Sequence, residues 1–261
     1  MSPKIIARDV VKIYDSSRGP VTAIDRFNLE VADGEFVCIV GPSGCGKSTF
    51  LRILAGLERH SAGEVSIVPG DDPAKPLNNV VFQDYAIFPW KTVIDNVAFG
   101  LHMRGVPKRE RLAIAAEWLD RVGLGKFAGY YPHQLSGGMK QRVSIARALA
   151  NDPEVLLMDE PLAALDAQTR TVMQAELLRI WESHRKTVVY ITHSIDEAVL
   201  LGDRVVLMTA HPGTNKATFP VNLPRPRTLE TTATLDYTQL TYAIWEALQD
   251  EVMRAMEEAQ R

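Results

Sequence analysis

Residues 37–55 read Val37-Cys38-Ile39-Val40-Gly41-Pro42-Ser43-Gly44-Cys45-Gly46-Lys47-Ser48-Thr49-Phe50-Leu51-Arg52-Ile53-Leu54-Ala55, and the fold follows from how that stretch divides. The apolar run 37–40 has the length and composition of a buried strand. Leu51 to Ala55 continues as a helix. Between them, Gly41 to Thr49 fits G-x-x-x-x-G-K-[ST] in the strand-loop-helix context that the pattern requires. Its glycines let consecutive backbone N–H groups close around phosphate oxygens. The helix N-terminus adds a favourable dipole. Lys47 can neutralise the β- and γ-phosphates, and the Ser48 hydroxyl can hold Mg²⁺. The stretch therefore points to a nucleoside-triphosphate site on an α/β sheet.

The same strand signal recurs outward from there. Val80-Val81-Phe82, Val155-Leu156-Leu157-Met158, Val188-Val189-Tyr190-Ile191 and Val205-Val206-Leu207-Met208 are further buried-strand candidates. Helical patterns separate several of them, which argues for a largely parallel sheet. From about 84 to 150 the strand signals vanish and helical periodicity takes over, as in Arg109 to Val122 and Met139 to Leu149. We expect a helical insertion there, inside an ATPase domain of residues 1–210. An extension, 211–261, begins with a turn-rich stretch from His211-Pro212-Gly213 through Pro224-Arg225-Pro226-Arg227. It ends in an amphipathic helix with Leu240, Ile244, Leu248, Val252 and Met256 at helical spacing. Packing on the core is the simpler reading of that stripe, and partner binding the other.

Composition sets the outer bounds. Of the 261 residues 46% are hydrophobic and 23% charged, with a formal net charge of -3, which excludes a disordered chain and gives no global basic excess for nucleic acid. Cys38 and Cys45 make no disulfide framework, so a reducing compartment is expected. Lys4, Arg8 and Asp9 break up the N-terminus that begins at Met1 and Ser2 before a signal-peptide core could form. No apolar run approaches the ~20 residues that a membrane helix needs. The chain is expected to be soluble and to serve a membrane only through a partner.

Two more features end strands. Val155 to Met158 runs into Asp159-Glu160, and Val188 to Ile191 runs into Thr192-His193. Carboxyl ends of parallel strands are where ligands bind. Asp159 suits a Mg²⁺ shell, and Glu160 suits orienting a water at the γ-phosphate and accepting its proton. His193 could contact the γ-phosphate. Taken singly, an acidic pair or a histidine of this kind is more often structural or solvated; together with the phosphate loop they gain weight.

The set resembles the ABC ATPases. Leu135-Ser136-Gly137-Gly138-Met139, running into Lys140-Gln141-Arg142-Val143-Ser144-Ile145-Ala146-Arg147, resembles their signature motif. Gln83 looks like the Q-loop residue, Ala164-Leu165-Asp166 like the D-loop, His193 like the switch histidine and Tyr14 like the adenine-stacking aromatic. All motifs stand in the family's order between about 4 and 210. Met139 departs from the usual Gln, which should tune the site rather than decide it. The resemblance implies a phosphate-loop ATPase core with an antiparallel N-terminal β part and an inserted helical subdomain. ATP and Mg²⁺ would be its ligands, with Ser48, Gln83 and Asp159 around the metal. It also implies a head-to-tail pair of copies in which Ser136, Gly137, Gly138 and Asp166 of one complete the phosphate loop of the other.

The segment from Phe82-Gln83-Asp84-Tyr85-Ala86-Ile87-Phe88-Pro89-Trp90 to Asp95-Asn96-Val97 is similar to importers for nitrate, taurine and aliphatic sulfonates, as is Leu223-Pro224-Arg225-Pro226-Arg227. That likeness implies a permease dimer as partner, indirectly an extracytoplasmic solute-binding protein, and a peripheral place on the cytoplasmic face of the inner membrane. Phe88 and Trp90 would help to dock the permease; plain packing is the competing reading of Trp90. A soluble ABC ATPase acting on nucleic acid or an assembly is the rival function, against which stand the single cassette, the lack of heptads and the lack of a basic arm.

Overall fold

The computed structural model describes residues 3–17 and 19–259; Met1 and Ser2, which open the charge-broken N-terminus, lie outside the described residues. In chain order the elements are β1 (Pro3–Ser16), β2 (Gly19–Ala32), β3 (Phe36–Val40), α1 (Lys47–Leu54), β4 (Ala62–Ile67) and β5 (Asn78–Val81). Then come α2 (Val93–Val97), α3 (Phe99–Met103), α4 (Lys108–Arg121), α5 (Gly137–Ala150), β6 (Val155–Asp159) and α6 (Ala167–His184). The chain closes with β7 (Thr187–Ile191), α7 (Ile195–Leu201), β8 (Arg204–Met208), β9 (Asn215–Pro220) and α8 (Leu235–Ala259). Two compact units divide the chain, one holding the residues up to Val68 and those from Trp181 on, the other Pro69–Ile180.

The first unit carries an antiparallel sheet, β2-β1-β4, and a parallel trio, β7-β3-β8, with β9 antiparallel on its edge. Every residue of β3 is buried, because the strand has neighbours on both sides and cover on both faces. Phe27 of β2 meets Phe50 of α1 edge-on at 4.6 Å between ring centroids, which joins the antiparallel sheet to the helix behind the phosphate loop. Strand β9 lies inside the stretch expected to be turns. Pro212, Gly213 and Pro220 bracket it, and its residues are at most half-buried, so it lacks the apolar run that marks the other strands.

Helix α8 turns Tyr237, Ile244 and Glu251 inward, with Leu240, Leu248 and Val252 half-buried. The expected stripe therefore packs through its first four members, but Met256 is 57% exposed and does not join it. On the outer face Tyr242 and Trp245 stack on each other, both exposed.

In the second unit β5 and β6 pair in parallel, Val81 opposite Met158. β6 is buried throughout, while only Val81 is fully buried in β5, and Phe82 falls just past its end. Around an apolar cluster that includes Val93, Val97, Ala115, Leu119, Val143 and Ala146 pack α2, α4 and α5. This is the helical insertion that the loss of strand signal predicts. No helix among the described residues is long and apolar enough to cross a membrane.

Candidate functional site

In the first unit the phosphate-loop sequence bends into a cradle. Gly46 precedes α1 at φ 101, and a Cβ there would meet the Ala23 carbonyl of β2 at 2.9 Å, so only glycine fits. Helix α1 then presents the backbone N–H groups of Lys47, Ser48 and Thr49 at its open end. Lys47 is only 6% exposed, and its ammonium donates to the carbonyls of Gly41 and Pro42, each at 2.8 Å. Ser43 and Gly44 form the exposed tip, whereas Cys45 is buried. Burial pushes the Cys45 thiol up, which the Lys47 charge only partly offsets, so it stands as a neutral thiol.

His193 belongs to the same strand-end edge. Ile39 and Ile191 are partners across β3 and β7, and the Thr192 N–H donates to the Ile39 carbonyl at 3.2 Å. The imidazole is exposed there. Tyr14 sits on β1 opposite Val21, close to the Ala23 that backs Gly46. The Lys12 ammonium lies over the Tyr14 ring at 4.5 Å and is held by Glu58 and the Arg59 carbonyl. One ring face is thus taken by a cation.

In the second unit, the paired ends of β5 and β6 carry Gln83 and Asp159-Glu160. Asp159 is buried, Glu160 half-buried and Gln83 exposed. Glu160 has φ 45, a left-handed conformation that a non-glycine residue rarely adopts. Strain of this kind, on the order of 1–3 kcal/mol, concentrates at functional positions. The oxygens of Asp159, Gln83 and Ser48 are hard donors of the kind that magnesium takes.

In the same second unit, the signature segment lies beside the residues that follow Gln83. Ser136 caps α5, its hydroxyl accepting from the Met139 N–H at 3.3 Å. A Cβ on Gly137 would run into the Tyr85 hydroxyl at 2.6 Å, so the glycine lets the Gln83 segment close on the signature loop. Met139 packs its side chain on the apolar cluster of the insertion, which gives the unusual residue a physical place. Asp166 caps α6; hydrogen bonds from Thr169 hold its carboxylate below the ordinary range.

Several supporting residues were read in the sequence only as members of motifs, without a role of their own. Gln141 donates to the Phe82 carbonyl at 3.4 Å, and Arg147 to the Ala86 carbonyl at 2.7 Å, so α5 braces the segment that starts at Gln83. Fully buried Asn96 receives the Phe88 N–H at 2.7 Å and donates to the carbonyls of Phe88, Lys91 and Thr92. This staples a loop on which Trp90 stands 72% exposed. The insertion therefore does not rely on Trp90 for its packing. A cleft of about 840 Å³ lined by Glu30, Asp33, Glu35, Arg185, Asp203 and Arg204 holds none of these residues. It lies at the amino ends of β3, β7 and β8, the edge opposite the one where parallel sheets bind ligands.

Both the sequence and the fold have counterparts among known proteins. A family model described as ABC transporter matches residues 24–163. An uncharacterized ABC transporter ATP-binding protein of Methanocaldococcus jannaschii is 49% identical over 258 residues, 98% of this chain and 95% of that one. A nitrate import ATP-binding protein of Synechocystis is 45% identical, over 83% of this chain and 82% of its own length. For a bicarbonate transport ATP-binding protein of Synechococcus elongatus the figures are 47%, 87% and 84%. Among solved structures, a dimeric post-hydrolysis ATP-binding cassette bound to ADP and Pi superposes with a TM-score of 0.76 at 35% identity, covering 84% of this chain and 99% of that one.

Proposed function

The chain belongs to the ABC transporter family of ATP-binding proteins, and from that premise we propose that it energises uptake of a small anion such as nitrate, taurine or an aliphatic sulfonate. It is a transport-associated, ATP-hydrolysing subunit. What supports the anion reading is that relatives named for nitrate import and for bicarbonate transport share 45% and 47% of aligned residues. The observation that carries the ATPase reading is the Gly41–Thr49 cradle, with Lys47 folded onto its carbonyls at the edge that also presents His193.

In this reading the amides of residues 41–49 and the Lys47 ammonium bind the phosphates, and Tyr14 stacks on the adenine. Ser48, Asp159 and Gln83 would hold Mg²⁺, which when bound would lower the charge on the phosphate oxygens. Glu160 orients a water and accepts its proton, and His193 contacts the γ-phosphate. A second copy faces the first head-to-tail, and its Ser136, Gly137, Gly138 and Asp166 close the site. ATP favours the closed pair and hydrolysis reopens it. The insertion of about 84–150 passes that change to a permease dimer through the loop bearing Phe88 and Trp90. The working place is then peripheral, on the cytoplasmic face of the inner membrane, with a solute-binding protein on the other side.

The decisive experiment purifies the chain from its own cells together with whatever holds it. A co-purifying permease, and a solute-binding protein whose released ligand is a small anion, is the expected result. A nucleic acid or a soluble assembly in its place would favour the rival function.

A further inference from the structure

His193 is the middle residue of a three-residue link between β7 and α7, so its placement depends on how α7 is held. The link is tied tightly from inside. Ser194 N–H donates to Thr192 Oγ1 at 3.0 Å, and that hydroxyl donates to the buried Glu197 carboxylate at 2.8 Å. Tyr190 donates to the same carboxylate at 3.1 Å. The first turn of α7 therefore fixes the residues on both sides of His193.

A helix of seven residues does not orient itself; tertiary contacts do that. Those contacts come from the C-terminal segment. Arg227, only 4% exposed, points its guanidinium at the end of α7 and donates to the carbonyls of Val199, Leu200 and Gly202 at 3.1, 3.3 and 2.5 Å. These are last-turn carbonyls with no partner inside the helix, at the end a cation favours. Arg225 adds a bond to the Leu201 carbonyl at 2.9 Å and pairs with Asp203. At the other end of α7, Tyr237 of α8, 5% exposed, donates its hydroxyl to the Asp196 carboxylate at 2.9 Å. Asp196 is three residues from His193.

We propose that Tyr237 and Arg227 are positioning residues for His193: the C-terminal segment grips α7 at both ends and so sets the hydrolysis rate rather than ATP affinity. This rests on the reading of His193 as the γ-phosphate contact. Both residues act through α7 and neither touches nucleotide. Exposed side chains would serve if the segment were only a cover; two nearly buried polar groups aimed at the two ends of one short helix constrain its position.

The test is steady-state ATP hydrolysis by the full chain carrying Tyr237→Phe, which keeps the ring and removes one hydroxyl. The expected result is kcat down about fivefold, the usual net worth of one such hydrogen bond, with KM for ATP within about twofold. Arg227→Gln should act in the same direction and more strongly. In a His193→Ala background, followed by single-turnover hydrolysis, Tyr237→Phe should cause no further loss. Unchanged kcat in Tyr237→Phe, a change in KM instead, or the same proportional loss with and without His193 would overturn the proposal. Should Arg227→Gln fail to fold, the isosteric tyrosine variant still decides. Parental hydrolysis by His193→Ala alone would instead sink the reading of His193 on which the proposal stands.

Discussion

At the scale of single residues, Lys47 and Glu160 make opposite claims on the nucleotide. Lys47 is a buried point charge whose loss the loop amides cannot replace. Lys47→Ala is expected to weaken ATP binding by about 10–100-fold, the range for a charge-assisted contact, in a direct binding titration. Glu160→Gln keeps the volume and the strained backbone but removes the carboxylate proposed to accept the water's proton. It should bind ATP as the parent does, lose roughly 10²–10³ in turnover, and accumulate as a dimer on a sizing column in ATP. Parental turnover in that variant would remove Glu160 from its role. Tyr14→Ala separates base from phosphate: nucleotide affinity should fall about 5–10-fold, the scale of one aromatic stack, with the hydrolysis rate at saturation kept.

At the scale of elements, the Phe88–Thr92 loop and helix α8 show what packing adds. Asn96→Ala deletes the staple and leaves buried loop amides unsatisfied, so a loss of about 2–4 kcal/mol is expected in chemical denaturation. Trp90→Ala, at an exposed tip, should stay within about 0.5 kcal/mol of parent and hydrolyse ATP normally, yet bind permease more weakly. Helix α8 is pinned by Glu251, which accepts from the Ala210 N–H at 2.8 Å and pairs with Lys216 at 2.6 Å. Burial pushes that carboxyl up, but the bonds and charges from Lys216, Ala210 and Arg254 leave it below its ordinary value. A depressed carboxylate stabilises fully above its unfolded value of ~4.5 and ceases to as pH falls through its folded value. Glu251→Gln should flatten that acid limb of the stability curve. Such contrasts mark how far the sequence could be read. Gly41–Thr49 was legible because its chemistry is local, and β3 because one apolar run suffices. Arg227 was visible only as part of a motif, since its partners at the end of α7 lie 25 to 28 residues earlier. β9 went unread because a half-buried edge strand between prolines carries no period, and periodicity could not tell that Met256 faces water.

At the scale of the whole molecule, the proposed head-to-tail pair has each phosphate loop completed by the signature segment of another copy, so hydrolysis by the isolated chain should rise more than linearly with protein concentration. Strict proportionality from a demonstrated monomer would contradict the head-to-tail pair. The four tryptophans also make the chain an optical instrument. Trp181 is clasped between the guanidinium groups of Arg185 and Arg225, at 4.5 and 4.1 Å from its ring, at the root of the C-terminal segment. Trp90 stands in water at the tip of its loop. Their emission should differ accordingly: a blue-shifted band that iodide cannot reach from Trp181, and a red-shifted, readily quenched band from Trp90. With the exposed Trp245 of α8 replaced by Phe, so that it adds nothing to the red band, engagement of a permease would shield the red component and leave the blue one alone, whereas detachment of the C-terminal segment would shift the blue one first. The intrinsic fluorescence of an unlabelled protein thus resolves events at two separate places, in real time, by colour.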